Sequence, residues 1–268
     1  MVLSTEKAPL RNILSTTSIA CKIVDVSALN STTHQVELES TTKVIPHYIA
    51  GQYLQLQLDL NNDGRIHSFC YSIANSSNSK QSRRLMLFIL NTSNLADRIV
   101  TYLIGLQRTM AIVNVKLPMG QAYLQTNLSL PHLLIATGSG ISKIKCISEE
   151  ILRQNPDAEV HVYWSNRKLE DFYLINEFNK QTGRHKNFTF HPILESPHSK
   201  WPGRSGFLFE VIRKDFERFD NFQTYLCGSP AMVYSTIDKL IDKGLKEDNC
   251  YSDVFEYAPR KSRSNLNF

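Results

Sequence analysis

Cysteine is scarce in this chain of 268 residues: Cys21, Cys70, Cys146, Cys227 and Cys250 lie 23 to 81 positions apart. They form no CxxC pair and no ferredoxin-type spacing, which argues against an iron–sulfur centre and a disulfide framework. They read as reduced thiols of a cytoplasmic protein. The eight histidines form no HxxxH or Cys/His grouping, so no metal site is expected. Long apolar runs are missing as well, and nothing approaches the roughly 20 residues of a membrane span. Residues 1–17 mix Glu6, Lys7, Pro9 and Arg11 with polar stretches, lack the apolar core of a secretory signal, and are expected to be a flexible tail. Charge of one sign is also in short supply. The net charge is only +5, and the cations are scattered, which excludes the basic stripe of a nucleic-acid binder but leaves enough for an anionic nucleotide.

What is present is a composition of 42% apolar and 21% charged residues, enough for two ordinary globular cores. The first part has strand periodicity, in residues 21–26, 34–39 and 53–60, where Tyr53, Leu56 and Leu58 are separated by glutamines. Breaks at Pro46, Gly51, 61–64 and 75–79 come at close intervals, so an antiparallel barrel or sandwich is expected over 18–128, with one helix at 95–106.

From Pro131 the rhythm becomes apolar strand, polar or glycine loop, amphipathic helix, which predicts a parallel-sheet nucleotide-binding α/β domain over 129–268. Strands are expected at 132–136, 159–164, 188–194, 222–227 and 251–257. Helices are expected at 141–152, 171–180, 207–213 and after Ser229, with Pro230 at the first helical position and Gly244 as the stop. The linker is placed at 125–129.

Three strand ends carry candidate chemistry. Gly138, Ser139 and Gly140 lie between a strand and a helix, where main-chain N–H groups hold a phosphate, although a tight turn would use the same glycines. Lys143 and Lys145 follow in the helix's first turn, either drawn there by a bound anion or simply solvated. Arg167 ends the next strand at the place that in a doubly wound sheet faces a nucleotide ribose, with no acid before Glu170, so the phosphate of NADP is tolerated there, while a surface arginine remains the alternative. Cys227 and Gly228 precede the capped helix. A small polarizable thiol and a glycine let a flat ligand come close, while a buried structural thiol remains the alternative.

The segments GQY at 51–53, CYS at 70–72, LPMG at 117–120, TGSG at 137–140, YWSNR at 163–167, WPGRSG at 201–206 and CGSPAM at 227–232 stand in the order and spacing of a known family. Over about residues 20–257 the chain resembles the ferredoxin–NADP reductase superfamily, and within it bacterial NAD(P)H:flavin oxidoreductases of the flavin reductase and LuxG type. The resemblance implies a flavin (FAD, FMN or riboflavin) in the barrel and NAD(P)H in the α/β domain, with hydride passing from nicotinamide to flavin N5 and electrons going on to ferric iron or an oxygenase. It places the flavin at Cys70, Tyr71 and Ser72, with Ser72 near N5, and along Phe88, Ile89, Leu90 and Ser93. It places the dinucleotide at Gly138, Ser139, Gly140, Ile141, Ser142 and Arg167, and beside Cys227, Gly228, Ser229 and Pro230. One residue departs from the pattern: the arginine that holds the flavin phosphate in the family falls on Phe69, which implies exchangeable flavin. The alternatives are a reductase component with bound FAD serving a separate protein partner, and a non-catalytic flavin- or nucleotide-binding regulatory module.

Overall fold

The structure is a computed structural model that describes residues 15–42, 44–77 and 83–260. Residues 1–14 of the expected tail, 78–79 of the expected break at 75–79 and 261–268 of the second domain lie outside these. Thr17, assigned to the tail, already opens the first strand.

Alternation builds the first sheet. Strands β1 (Thr17–Ala28), β2 (Thr33–Ser40), β3 (Tyr53–Leu58), β4 (His67–Ser72) and β5 (Arg84–Leu90) are followed by helix α1 (Asn94–Thr109) and β6 (Ile112–Met119). The strands pair antiparallel in the order β4-β3-β6-β1-β2-β5. Leu54, Leu56 and Leu58 point inward with Val36, Leu38, Leu87 and Val115, while Gln55 and Gln57 turn outward, as a two-residue period requires. Helix α1 lays Ile99, Val100 and Leu103 against this core. Among the described residues no ladder joins β4 to β5, and the barrel is open along that seam. Asn75 stitches one end of it, where Nδ2 donates to Arg84 O (3.1 Å) and Oδ1 accepts from Met86 N (2.8 Å).

The second sheet is parallel: β7 (His132–Thr137), β8 (Val160–Asn166), β9 (Phe188–Leu194), β10 (Arg204–Ser205), β11 (Gln223–Cys227) and β12 (Cys250–Tyr251), in the order β10-β9-β8-β7-β11-β12. Its helices are α2 (Ile141–Gln154), α3 (Ile175–Arg184), α4 (Leu208–Asp215), α5 (Pro230–Leu240) and α6 (Val254–Tyr257). Strand order reverses at β7, which puts a crevice beyond its carboxyl end, between β8 and β11.

Two expectations need correction. The strand read over 251–257 stops at Tyr251. Ser252 Oγ accepts from Val254 N (3.3 Å) and Ser252 O from Phe255 N (3.2 Å), so a turn diverts the chain into α6. The helix read from 171 begins at Ile175, because Leu169–Asp171 form a tight 3-10 turn that tucks Phe172 and Leu174 into the core.

Helix α2 is buried almost all round, since the sheet covers one side and the barrel the other. Ile144, Ile147 and Ile151 share one core with Ala50, Ala74 and Phe88 of the barrel and with Leu134, Ala136 and Trp164 of the sheet. The connection is tied down too: Tyr225 Oη accepts from Gln125 N (2.9 Å), and Gln223 Nε2 donates to Asn127 O (3.1 Å).

Candidate functional site

The open seam of the barrel and the crevice of the parallel sheet meet in one cleft of about 790 Å³. From the barrel come Cys70, Tyr71 and Ser72 at the end of β4, and Phe88 and Leu90 on β5. From the α/β half come Gly138, Ser139, Gly140 and Ser142 after β7, Arg167 after β8, and Cys227, Gly228 and Ser229 after β11.

Ser72 is held by its strand. It pairs with Tyr53 of β3, and the next N–H, of Ile73, donates to Gln52 O at 3.2 Å. Its hydroxyl has no protein partner among the described residues and is therefore available to a ligand. Tyr71 packs its ring on the barrel core, and burial pushes its phenol up to about 12. Both are neutral side chains at pH 7.

The loop after β7 is shaped by close contact. Gly138 has φ +53°, and open space surrounds the position a Cβ would take. A Cβ on Gly140 would lie 2.3 Å from Cys227 O, so two main-chain segments touch here and bring the loop against the end of β11. At Gly228 the close neighbours are side chains instead, since a Cβ there would meet Thr137 Oγ1 and Met232 Cε, both at 2.3 Å. Gly228 lines the cleft beside this contact. Burial pushes the Cys227 thiol up to about 11, against the opposing pull of Lys143, so it lines the cleft as a neutral group.

Four of the expected residues point elsewhere. Ile89 is in the barrel core and Ile141 in the core around α2. Ser93 caps α1, its Oγ accepting from Ala96 N (3.2 Å), and Pro230 fills the first position of α5 behind the cap Ser229. Lys143 and Lys145 also correct the reading made of them, for both are buried and paired away from the loop Gly138–Gly140. Lys143 Nζ donates to Asp253 Oδ2 (2.6 Å) and Ala122 O (3.0 Å). Lys145 pairs with Glu149 and with Glu177 (3.1 Å). Burial works to lower its pKa, but the two carboxylates outweigh it and the net shift is upward.

Arg167 is 84% exposed, and its Nε donates to Glu195 Oε2 at 3.1 Å. Glu195, just beyond β9, places a carboxylate beside Arg167, where local spacing had shown no acid before Glu170. Asp171 lines the same cleft. Sequence reading also missed Phe207 and Phe209, which stack at 5.9 Å and line the far wall with Leu208. Phe207 is 66% exposed, and an aromatic placed outside the buried stripe of a short helix was the available signal. Among the described residues no helix is long and apolar enough to cross a membrane, and no cluster of His, Cys, Asp or Glu could hold a metal.

Residues 134–238 match the oxidoreductase NAD-binding domain family. The chain is 26% identical to the NAD(P)H-flavin reductase of Vibrio harveyi over 243 residues, 90% of this chain and 99% of that one. It is 26% identical to the anthranilate 1,2-dioxygenase electron transfer component of Acinetobacter baylyi, across 91% of this chain but only 69% of that protein. The fold is that of the Amycolatopsis cytochrome P450 reductase GcoB, with a TM-score of 0.76 and 22% identity over 88% of this chain and 69% of that one.

Proposed function

The chain belongs to the ferredoxin–NADP reductase superfamily, with flavin reductases among its relatives, and from that premise we propose that its cleft brings a nicotinamide nucleotide against a flavin. The protein is an NAD(P)H-dependent flavin oxidoreductase. The observation that carries this reading is the convergence of Ser72, Gly138–Gly140 and Cys227 on one space from three strand ends.

A flavin supplies the two-electron acceptor for the nicotinamide hydride. The barrel side suits such a ring, with the Tyr71 ring, the free Ser72 hydroxyl and the apolar Phe88 and Leu90. Ser72 orients the ring through a hydrogen bond, and Cys227 lines the opposite wall without competing charge. The N–H groups around Gly138–Gly140 and the positive end of α2 hold the dinucleotide's phosphates. Phe207 and Phe209 offer a stacking face for its base. The main work of these residues is alignment, since reacting atoms must come within about 3 to 3.5 Å. Ferric iron or an oxygenase takes the electrons onward. A reductase that keeps its flavin for a protein partner is the second reading, favoured by the likeness to the dioxygenase component. Absorbance near 450 nm before and after desalting, with NADH and NADPH oxidation assayed on added flavins, separates the two. No oxidation with any flavin would overturn both.

The Arg167–Glu195 pair bears on nucleotide choice. NADPH is expected to serve beside NADH, but Glu195 accepts from a ribose hydroxyl and opposes a 2′-phosphate. Glu195→Gln is therefore expected to raise the NADPH/NADH ratio of kcat/KM by about 10-fold or more, the scale of one charge-assisted contact of about 1.5 to 3 kcal/mol. An unchanged ratio in steady-state kinetics would remove Glu195 from the ribose site.

Phe69 bears on flavin choice. Its ring packs against the barrel core, and Arg84 is drawn to Glu37 (3.2 Å) and Glu39 (3.6 Å) on β2. Riboflavin is therefore expected to bind within about tenfold of FMN, where an intact arginine contact would favour FMN by about 10- to 150-fold. Titration of the apo-protein at low and high salt checks this, and a large, salt-sensitive FMN preference would point to Arg65 or Arg83.

A further inference from the structure

We infer that Lys143 is a positioning residue for this reaction: with Asp253 it locks the C-terminal segment and the interdomain connection onto α2 behind the cleft. The kinetic part of this inference rests on the flavin reductase reading, and the structural part does not.

Lys143 stands where a lysine is least expected. It is in the first turn of α2, where the helix dipole disfavours a cation, and its side chain is 1% exposed. Two groups from distant parts of the chain offset that cost. Asp253 Oδ2 accepts from Nζ at 2.6 Å, 110 residues away in sequence, and Ala122 O accepts at 3.0 Å. Three segments therefore meet on one ammonium group: the helix that carries the phosphate loop, the connection leaving the barrel, and the stretch between β12 and α6.

A second tie runs alongside, since Glu256 Oε1 accepts from Gln121 N at 2.6 Å. The other carboxylate oxygen of Asp253, Oδ1, is buried without a partner, 3.3 Å from where a Cβ on Gly120 would sit. Asp253 is also within electrostatic reach of the Cys227 thiol and of the Tyr257 phenol. Its placement thus fixes the charge and the segment standing just behind the nicotinamide side of the cleft. Stability alone is a poor account of such a pair, because well-packed apolar side chains often serve a buried site as well or better. What a short charged hydrogen bond adds is a single direction and register.

The test uses Lys143→Met and the double variant Lys143→Met/Asp253→Leu, which removes both charges and is expected to fold at least as stably as the wild type. In both, amide hydrogen exchange over residues 252–257 is expected to quicken by about tenfold or more while β3 is unchanged. In both, kcat is expected to fall by about 10- to 100-fold, the scale of a small misalignment, with KM for the nucleotide and Kd for riboflavin nearly unchanged. Wild-type exchange over 252–257 in the double variant would overturn the lock. Faster exchange with wild-type kcat would overturn the positioning role. If the wild-type chain oxidises neither NADH nor NADPH with any flavin, the flavin reductase reading fails by itself, and the exchange data still decide the lock.

Discussion

Ser72→Ala is expected to lower turnover by roughly 10- to 1000-fold, the range for one hydrogen bond that matters in the transition state. The effect should fall on kcat. The hydroxyl lies on the barrel side of the cleft, whereas the proposed dinucleotide site is the loop after β7 and the end of β8, so KM for NADH or NADPH should move little. The substitution leaves the fold intact, because the position of residue 72 is set by its main chain, paired with Tyr53, and by the Ile73 N–H bond to Gln52. Flavin affinity should weaken only by the worth of one neutral hydrogen bond, about 0.5 to 1.5 kcal/mol. Single-turnover kinetics with saturating riboflavin isolate the chemical step, and wild-type rates there would take Ser72 out of the mechanism.

The architecture was legible because both halves obey simple periods: the glutamine-spaced leucines of β3, and the isoleucines of α2 after an apolar strand. The cleft residues at strand ends were legible for the same reason, since a parallel sheet places its loops at one edge. What was hidden depends on proximity without local signal. Glu195 meets Arg167 across 28 residues and Asp253 meets Lys143 across 110, and no spacing rule anticipates either. Helix α2 looked one-sided because its second covering, the barrel, is contributed by another part of the chain. Ser93 was open to a better reading. A serine directly before a helical run with Asp97 in its first turn is an N-cap signal, and capping is what the residue does. The strand expected beyond Tyr251 failed on a similar point, since Ser252 and Asp253 form turns more readily than they extend a sheet.

Gly140→Ala should impair nucleotide use more severely than Gly138→Ala, although both remove a glycine from the same loop. At Gly140 the new methyl group would lie 2.3 Å from Cys227 O, 2.8 Å from Cys227 C and 3.1 Å from Cys227 Sγ. Two of those atoms are main chain of a central strand, so no side chain can swing aside, and the loop must move away from β11. Overpacking of this kind costs about 1 to 3 kcal/mol in stability. The larger consequence is geometric. In the proposed arrangement the loop and the end of β11 together define where phosphates and nicotinamide sit, and a shift of about 1 Å at such a site costs on the order of 100-fold in rate. At Gly138 a methyl group meets open space, and the penalty is the left-handed backbone alone, about 1 to 2 kcal/mol. The expected result is a fall in kcat/KM for NADH near 100-fold for Gly140→Ala and markedly less for Gly138→Ala. Riboflavin affinity should be close to wild type in both, because β4 and β5 are untouched. Thermal denaturation, riboflavin titration and steady-state kinetics on the two variants separate these terms. Equal nucleotide kinetics in the pair would mean that backbone conformation, and not contact with Cys227, fixes the dinucleotide site.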